Sequence, residues 1–175
     1  MKNGIILVGL LIAWGVPASA DEVMVPLAQG GEWITSAHRA SLTARPDMCL
    51  TADFESGIAI RADGHGIQIR IINSRWSLPA GVIGDVAISV GGWKETFKID
   101  DNTDTMINSE IDEDDALAMF AAMDANASMS VTVGKAKPFP VSLVGSTKAT
   151  NAFRTCAGLK GANQAPGVNP FSTQP

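Results

Sequence analysis

Apolar and polar residues alternate at period two through much of this chain, and a helical period takes over only after residue 111. Glu32-Trp33-Ile34-Thr35-Ser36 has the β-branched and aromatic content of a strand, and Met48 to Phe54 alternates cleanly behind the turn residues Arg45-Pro46-Asp47. Gly57 to Arg61 and Ile67 to Ile71 flank Asp63-Gly64, a dipeptide suited to a tight hairpin. A second hairpin is expected around Gly91-Gly92. A two-residue turn there pairs Val90 with Trp93, Ile88 with Glu95 and Val86 with Phe97, and sets Lys98 opposite Asp85. Val86, Val90, Trp93 and Phe97 then share the buried face and Lys94 the wet one. Glu95 lands on the apolar face, which is tolerable only at a sheet edge.

Beyond residue 111, Asp112-Glu113-Asp114-Asp115 supplies a cap and extra carboxylates for the positive end of a helix. Leu117, Phe120 and Ala121, with Met119 and Met123 alongside, are its core-facing candidates. Strands are expected over Ser128 to Val133 and Pro140 to Val144, separated by a solvated loop with Lys135, Lys137 and Pro138. A last helix starts with Ser146 as N-cap, aligns Ala149, Ala152, Phe153 and Cys156 on one stripe, and stops at Gly158. About seven or eight strands with two short helices make an α+β, mainly β chain: an antiparallel β-sandwich or curled sheet with a C-terminal helix tethered to it.

The first twenty residues read as an export signal. Lys2 is a basic n-region, Ile5 to Val16 an apolar h-region, and Ala18-Ser19-Ala20 a small-residue cleavage pattern. The expected organisation is a cleaved signal peptide over 1–20, a single β-rich domain over 21–157 and a flexible Gly- and Pro-rich tail over 158–175. Neither cysteine lies at the cut site, so a lipid anchor is not expected, nor is a transmembrane one. Periplasmic or secreted localisation follows, with Gram-negative type export. In that setting Cys49 and Cys156 read as one disulfide closing a loop of about 108 residues, worth about 4 to 5 kcal/mol in the chain-entropy model. Loss of Lys2 takes the formal charge from -5 to -6, and the six arginines are scattered singly. Nucleic acid is therefore not an expected partner, whereas a basic protein is.

Candidate chemistry is sparse. Asp100, Asn102 and Asp104 fall at positions one, three and five of a calcium loop, but Thr105 and Ile111 stand where Gly and a bidentate Glu belong. The acidic run reads instead as a hairpin exit leading to a helix N-terminus. The only histidines, His38 and His65, have no zinc-ligand spacing, and His65 reads as an exposed turn residue. No Gly-x-Ser-x-Gly elbow occurs, and Ser146 and Lys148, two apart on a helix, diverge. No catalytic, metal or cofactor set is expected. Four tryptophans invite a carbohydrate-binding reading, but Trp14 leaves with the signal and Trp93 joins the hairpin core; Trp33 and Trp76 remain as candidates for display, with core packing the alternative for Trp76. Asn73 to Pro79 leaves a strand, so Arg75 and Trp76 become the candidate partner contact, being residue types enriched at interface hot spots.

Gly31-Glu32-Trp33 resembles the Gly-Asp-Trp that opens the invasion-associated locus B family, whose order of strands, helix, strand pair and short helix is similar to that read here. Val141 to Ser146, running to Ala149, Phe153 and Cys156, resembles the closing strand, Gly and helix of type VI secretion accessory proteins. The cysteine following the invasion family's Gly-Asp-Trp is absent, Ser36 to Arg39 standing there. These resemblances imply a β-rich periplasmic accessory protein without catalysis, and only Cys156, as a structural residue, carries over. The function expected is a non-enzymatic periplasmic binding or accessory protein acting through protein contact; the alternative is an inhibitor of an exported hydrolase such as a wall-degrading enzyme.

Overall fold

A computed structural model describes residues 23–159; the expected signal peptide, and the expected tail beyond Leu159, lie outside the described residues. In chain order the elements are β1 (Val23–Gly30), β2 (Trp33–Arg39), β3 (Pro46–Asp53), β4 (Ile58–Asp63), β5 (Gly66–Ile72), β6 (Asp85–Val90), β7 (Trp93–Lys98), β8 (Asp101–Asn102), β9 (Met106–Ile111), α1 (Glu113–Ala125), β10 (Ser128–Val133), β11 (Phe139–Ser142) and α2 (Ser146–Ala157). They form two antiparallel sheets, β1-β2-β3-β4-β5-β9-β8 and β11-β10-β6-β7. This is the mainly β, two-helix architecture that the alternation implies.

One core joins both sheets and both helices. The larger sheet contributes Ile58, Ile60, Ile69, Ile71 and Ile107, the smaller one Val86, Ile88, Val90, Val131 and Val141. Helix α2 lies on β1, β2 and β3, and its Phe153 meets Phe120 of α1 with ring centroids 5.6 Å apart. The Cys49–Cys156 disulfide, with Cα atoms 6.0 Å apart, ties the buried face of β3 to this helix.

The β6–β7 hairpin has the register read from its alternation, Val90 opposite Trp93, Ile88 opposite Glu95, Val86 opposite Phe97 and Asp85 opposite Lys98. Because β7 is the sheet's edge, Glu95 reaches water and Trp93 is only half-buried. The other hairpin turns one residue later than expected: Asp63 pairs with Gly66, so Gly64-His65 form the tip. The Asp63 carboxylate accepts from the His65 N–H at 2.8 Å, and the positive φ falls on Gly66.

The helices follow their caps more closely than their expected faces. Asp112 caps α1 through the Asp115 N–H, but the buried stripe is Ala116, Met119, Phe120 and Met123, leaving Leu117 half-buried and Ala121 in solvent. In α2 the cap is Gly145, at φ 82°, rather than Ser146. The reason is steric: a Cβ on Gly145 would lie 2.5 Å from the Gly31 nitrogen, so the chain enters the helix against the β1–β2 turn and Ser146 becomes a fully buried first-turn residue. Gly158 closes α2 as expected, and Leu159 after it is still buried.

Three elements were not legible as strands, the two-residue β8 inside the acidic run being the shortest. β1 is an edge strand interrupted by Pro26 and an adjacent bulge, both devices that blunt an edge. β9 carries the buried polar residues Asn108 and Ser109, which break its apolar period.

Candidate functional site

The candidate contact is built around the turn from β3 to β4. The buried Asp53 carboxylate accepts the N–H groups of Glu55 and Ser56 at 3.0 and 3.3 Å, and its carbonyl accepts from Gly57 at 3.0 Å. Gly57 takes φ 75°, and a Cβ there would lie 2.1 Å from the Ile72 carbonyl oxygen. Only glycine fits this approach, which lets the Ile72 N–H bond the Gly57 carbonyl at 2.7 Å. The turn thereby clasps the end of β5 and throws Phe54 outward, leaving it 66% exposed. Phe54 does not continue the β3 alternation; it lies just past the strand's end.

After β5 the chain enters the segment carrying Arg75 and Trp76. Asn73 organises it locally: its side-chain oxygen accepts from the Arg75 N–H and its carbonyl from the Trp76 N–H, both at 3.0 Å. The acidic region then holds the loop from outside. Asn73 N–H donates to the Thr105 carbonyl at 2.8 Å and Leu78 N–H to the Asp104 carbonyl at 2.9 Å. The Asn102 amide accepts from Val82 N–H and donates to the Pro79 carbonyl. Asp100 accepts from Glu110 N–H at 2.6 Å. The side chains of Asp100 and Asn102, which fall at calcium-loop positions, are thus used to fix backbone.

These pieces enclose a cleft of about 610 Å³, lined on its walls by Phe54, Ile72, Arg75, Trp76 and Phe139. Ile72 is 40% exposed, Arg75 is exposed, and Trp76 is half-buried, one side against the core. Arg75 and Trp76 were readable from the sequence as a rim; Phe54, Ile72 and Phe139 were not. They come from two sheets and meet only through tertiary packing, so no local pattern announces them. Trp33, the other candidate for display, is fully buried and donates its indole N–H to the Ser142 carbonyl. It is a core residue.

The two histidines meet in a separate cleft of about 470 Å³ with Asp47, Arg61 and Asp63. There His38 Nδ1 lies 2.6 Å from Asp47 Oδ1, and Arg61 Nη2 lies 2.5 Å from Asp63 Oδ2. His65 stands exposed at the hairpin tip. Among the described residues no group of three or more His, Cys, Asp or Glu is arranged to hold a metal ion. Arg70, on the same solvent-side face as Arg61, is held below the usual arginine range by burial and then by the Arg61 charge. Among the described residues no helix is long and apolar enough to cross a membrane. The chain matches no family model, no curated protein and no solved structure with which it was compared.

Proposed function

We propose that this protein is a non-enzymatic accessory protein of an exported compartment, working through a protein contact at the Phe54–Arg75–Trp76 cleft. The observation that carries the reading is the convergence of exposed Phe54 and Ile72 with Trp76 and Arg75 on one concave surface. Aromatic side chains and arginine, desolvated together at the centre of a patch, are the composition of binding hot spots. A loop fixed by Asn73 and Asn102 also presents them with little conformational entropy left to lose.

Periplasmic or secreted placement is supported by the leader pattern and by the Cys49–Cys156 disulfide, which persists in oxidising compartments. The accessory role is also what the resemblance to invasion-associated locus B proteins implies. The mature charge of -6 favours a basic partner.

The test is affinity capture from a periplasmic extract with the wild-type chain, with Arg75→Ala/Trp76→Ala and with Phe54→Ser. Each substituted protein should lose a partner that the wild type retains. Because Trp76 also touches the core, Phe54→Ser, with unchanged unfolding, is the decisive variant. Equal capture by Phe54→Ser and wild type overturns the reading, and a wall-degrading hydrolase as the captured protein would make the contact an inhibitory one.

A further inference from the structure

A second cleft, of about 540 Å³, adjoins the first across the 53–57 turn and shares Asp53, Glu55 and Ser56 with it. Its chemistry is different. Glu32, Asp53 and Glu55 line it, no lysine or arginine does, and none of the three carboxylates is ion-paired among the described residues. Asp53 is 3% exposed, so its charge is screened less by water and salt than a surface carboxylate would be. One of its oxygens accepts two backbone N–H groups, and an ionised carboxylate retains further acceptor capacity. The combined surface is apolar and aromatic on one side of the turn, with Arg75 at its rim, carries Asp53 and Glu55 on the turn itself, and adds Glu32 with no cation on the other side.

The strand bordering both clefts is β11, an edge strand that gives Phe139 to the first and Pro140 to Ser142 to the second. Strand addition is poorly served there. The Ser142 carbonyl points away from β10 to the Trp33 indole, and by the two-residue period Pro140 and Pro138 face the same side. Neither proline has an N–H to offer, so a partner gains little from the backbone and must be read by its side chains.

From this we propose that the occupant is an extended segment of a partner protein. It seats an apolar side chain among Phe54, Ile72, Trp76 and Phe139, and a lysine or arginine over Glu32, Asp53 and Glu55. The inference rests on the protein-contact reading above and names the chemistry that contact selects. Cavities of 610 and 540 Å³ are each on the order of 8 Å across, so about five residues advancing about 3.3 Å apiece cover both.

The experiment uses the full chain and labelled, acetylated and amidated octapeptides of Gly and Ser, followed by fluorescence anisotropy. One peptide carries a phenylalanine and, three positions away in either order, two lysines; a second has two glutamates for the lysines; a third has serine for the phenylalanine. At low salt the Phe/Lys peptide should bind about tenfold more tightly than the Phe/Glu peptide, with the gap closing as salt rises. Glu32→Lys/Glu55→Lys, both at exposed positions, should remove that preference, and Phe54→Ser should weaken both Phe-containing peptides. Binding that ignores peptide charge, favours glutamate or is missing for all three overturns the inference. If Phe54→Ser still loses the captured partner in that event, the contact reading stands and only its assigned chemistry falls.

Discussion

The indole N–H of Trp33, fully buried on β2, donates to the main-chain carbonyl of Ser142 on β11 at 2.8 Å. It bolts the edge of the smaller sheet to the larger one beside the acidic cleft. Replacing Trp33 by Phe keeps most of the apolar ring and strands the Ser142 carbonyl without its donor. The expected loss is about 0.5 to 1.5 kcal/mol in urea unfolding, the net worth of one hydrogen bond, since Ser142 is an exposed residue on the edge strand. Trp33→Ala should lose about 3 to 5 kcal/mol or more, as for other fully buried aromatics. A neutral Trp33→Phe would mean the bond carries no stability.

The disulfide should be a principal strut. Thiol titration of the unfolded chain should find no free cysteine until a reductant is added. Cys49→Ala/Cys156→Ala should then unfold about 2 to 5 kcal/mol more easily than the wild type. A loss under about 1 kcal/mol would show that the core holds α2 without it.

Position in the sheet sets the cost of emptying a site. Trp93 is half-buried on edge strand β7, so Trp93→Ala should cost about 1 to 2 kcal/mol, less than the about 3 to 5 kcal/mol for Phe153→Ala in the centre of the core. Lys94→Ala, on the wet face, should stay within about 0.5 kcal/mol. Chemical denaturation of the three variants checks the order, and equal losses at Trp93 and Phe153 would refute it.

Asn102 should behave as the clamp of the loop that presents Arg75 and Trp76. Asn102→Ala removes its bonds to Val82, Pro79 and Thr103, so the Val82 amide should exchange with solvent at least about tenfold faster, even where global stability falls by only about 1 to 2 kcal/mol. Calcium should not compensate. A ligand at 100 times its Kd would add about 2.7 kcal/mol, yet the Asp100 and Asn102 side chains already serve the backbone, so saturating Ca²⁺ should leave Tm unchanged. A rise reversed by EDTA would contradict this assignment.

What the sequence made legible were features set by neighbours along the chain. The Gly91-Gly92 hairpin, Asp112 as a cap, Gly158 as a stop and the single cysteine pair follow from local turn, cap and redox chemistry. What it hid depends on distant packing. Ser109 sits fully buried in β9, where an apolar residue would have revealed the strand. Gly145 displaces Ser146 as cap only because the Gly30-Gly31 turn presses against it. The candidate site divides the same way: Arg75 and Trp76 stand out in a loop, whereas Phe54 and Ile72 join them through the clasp of the β3–β4 turn on β5, and Phe139 only once the second sheet has packed.

The most direct measurement is site-specific photocrosslinking in the native cell, with a benzophenone amino acid placed at Phe54 and, as controls outside the lining of both clefts, at Leu42 and Ile83, which are 71% and 98% exposed. A protein contact at the cleft gives a discrete adduct of one added mass from position 54 and none from positions 42 or 83. An unmodified band at position 54, or the same adducts from all three positions, would contradict it.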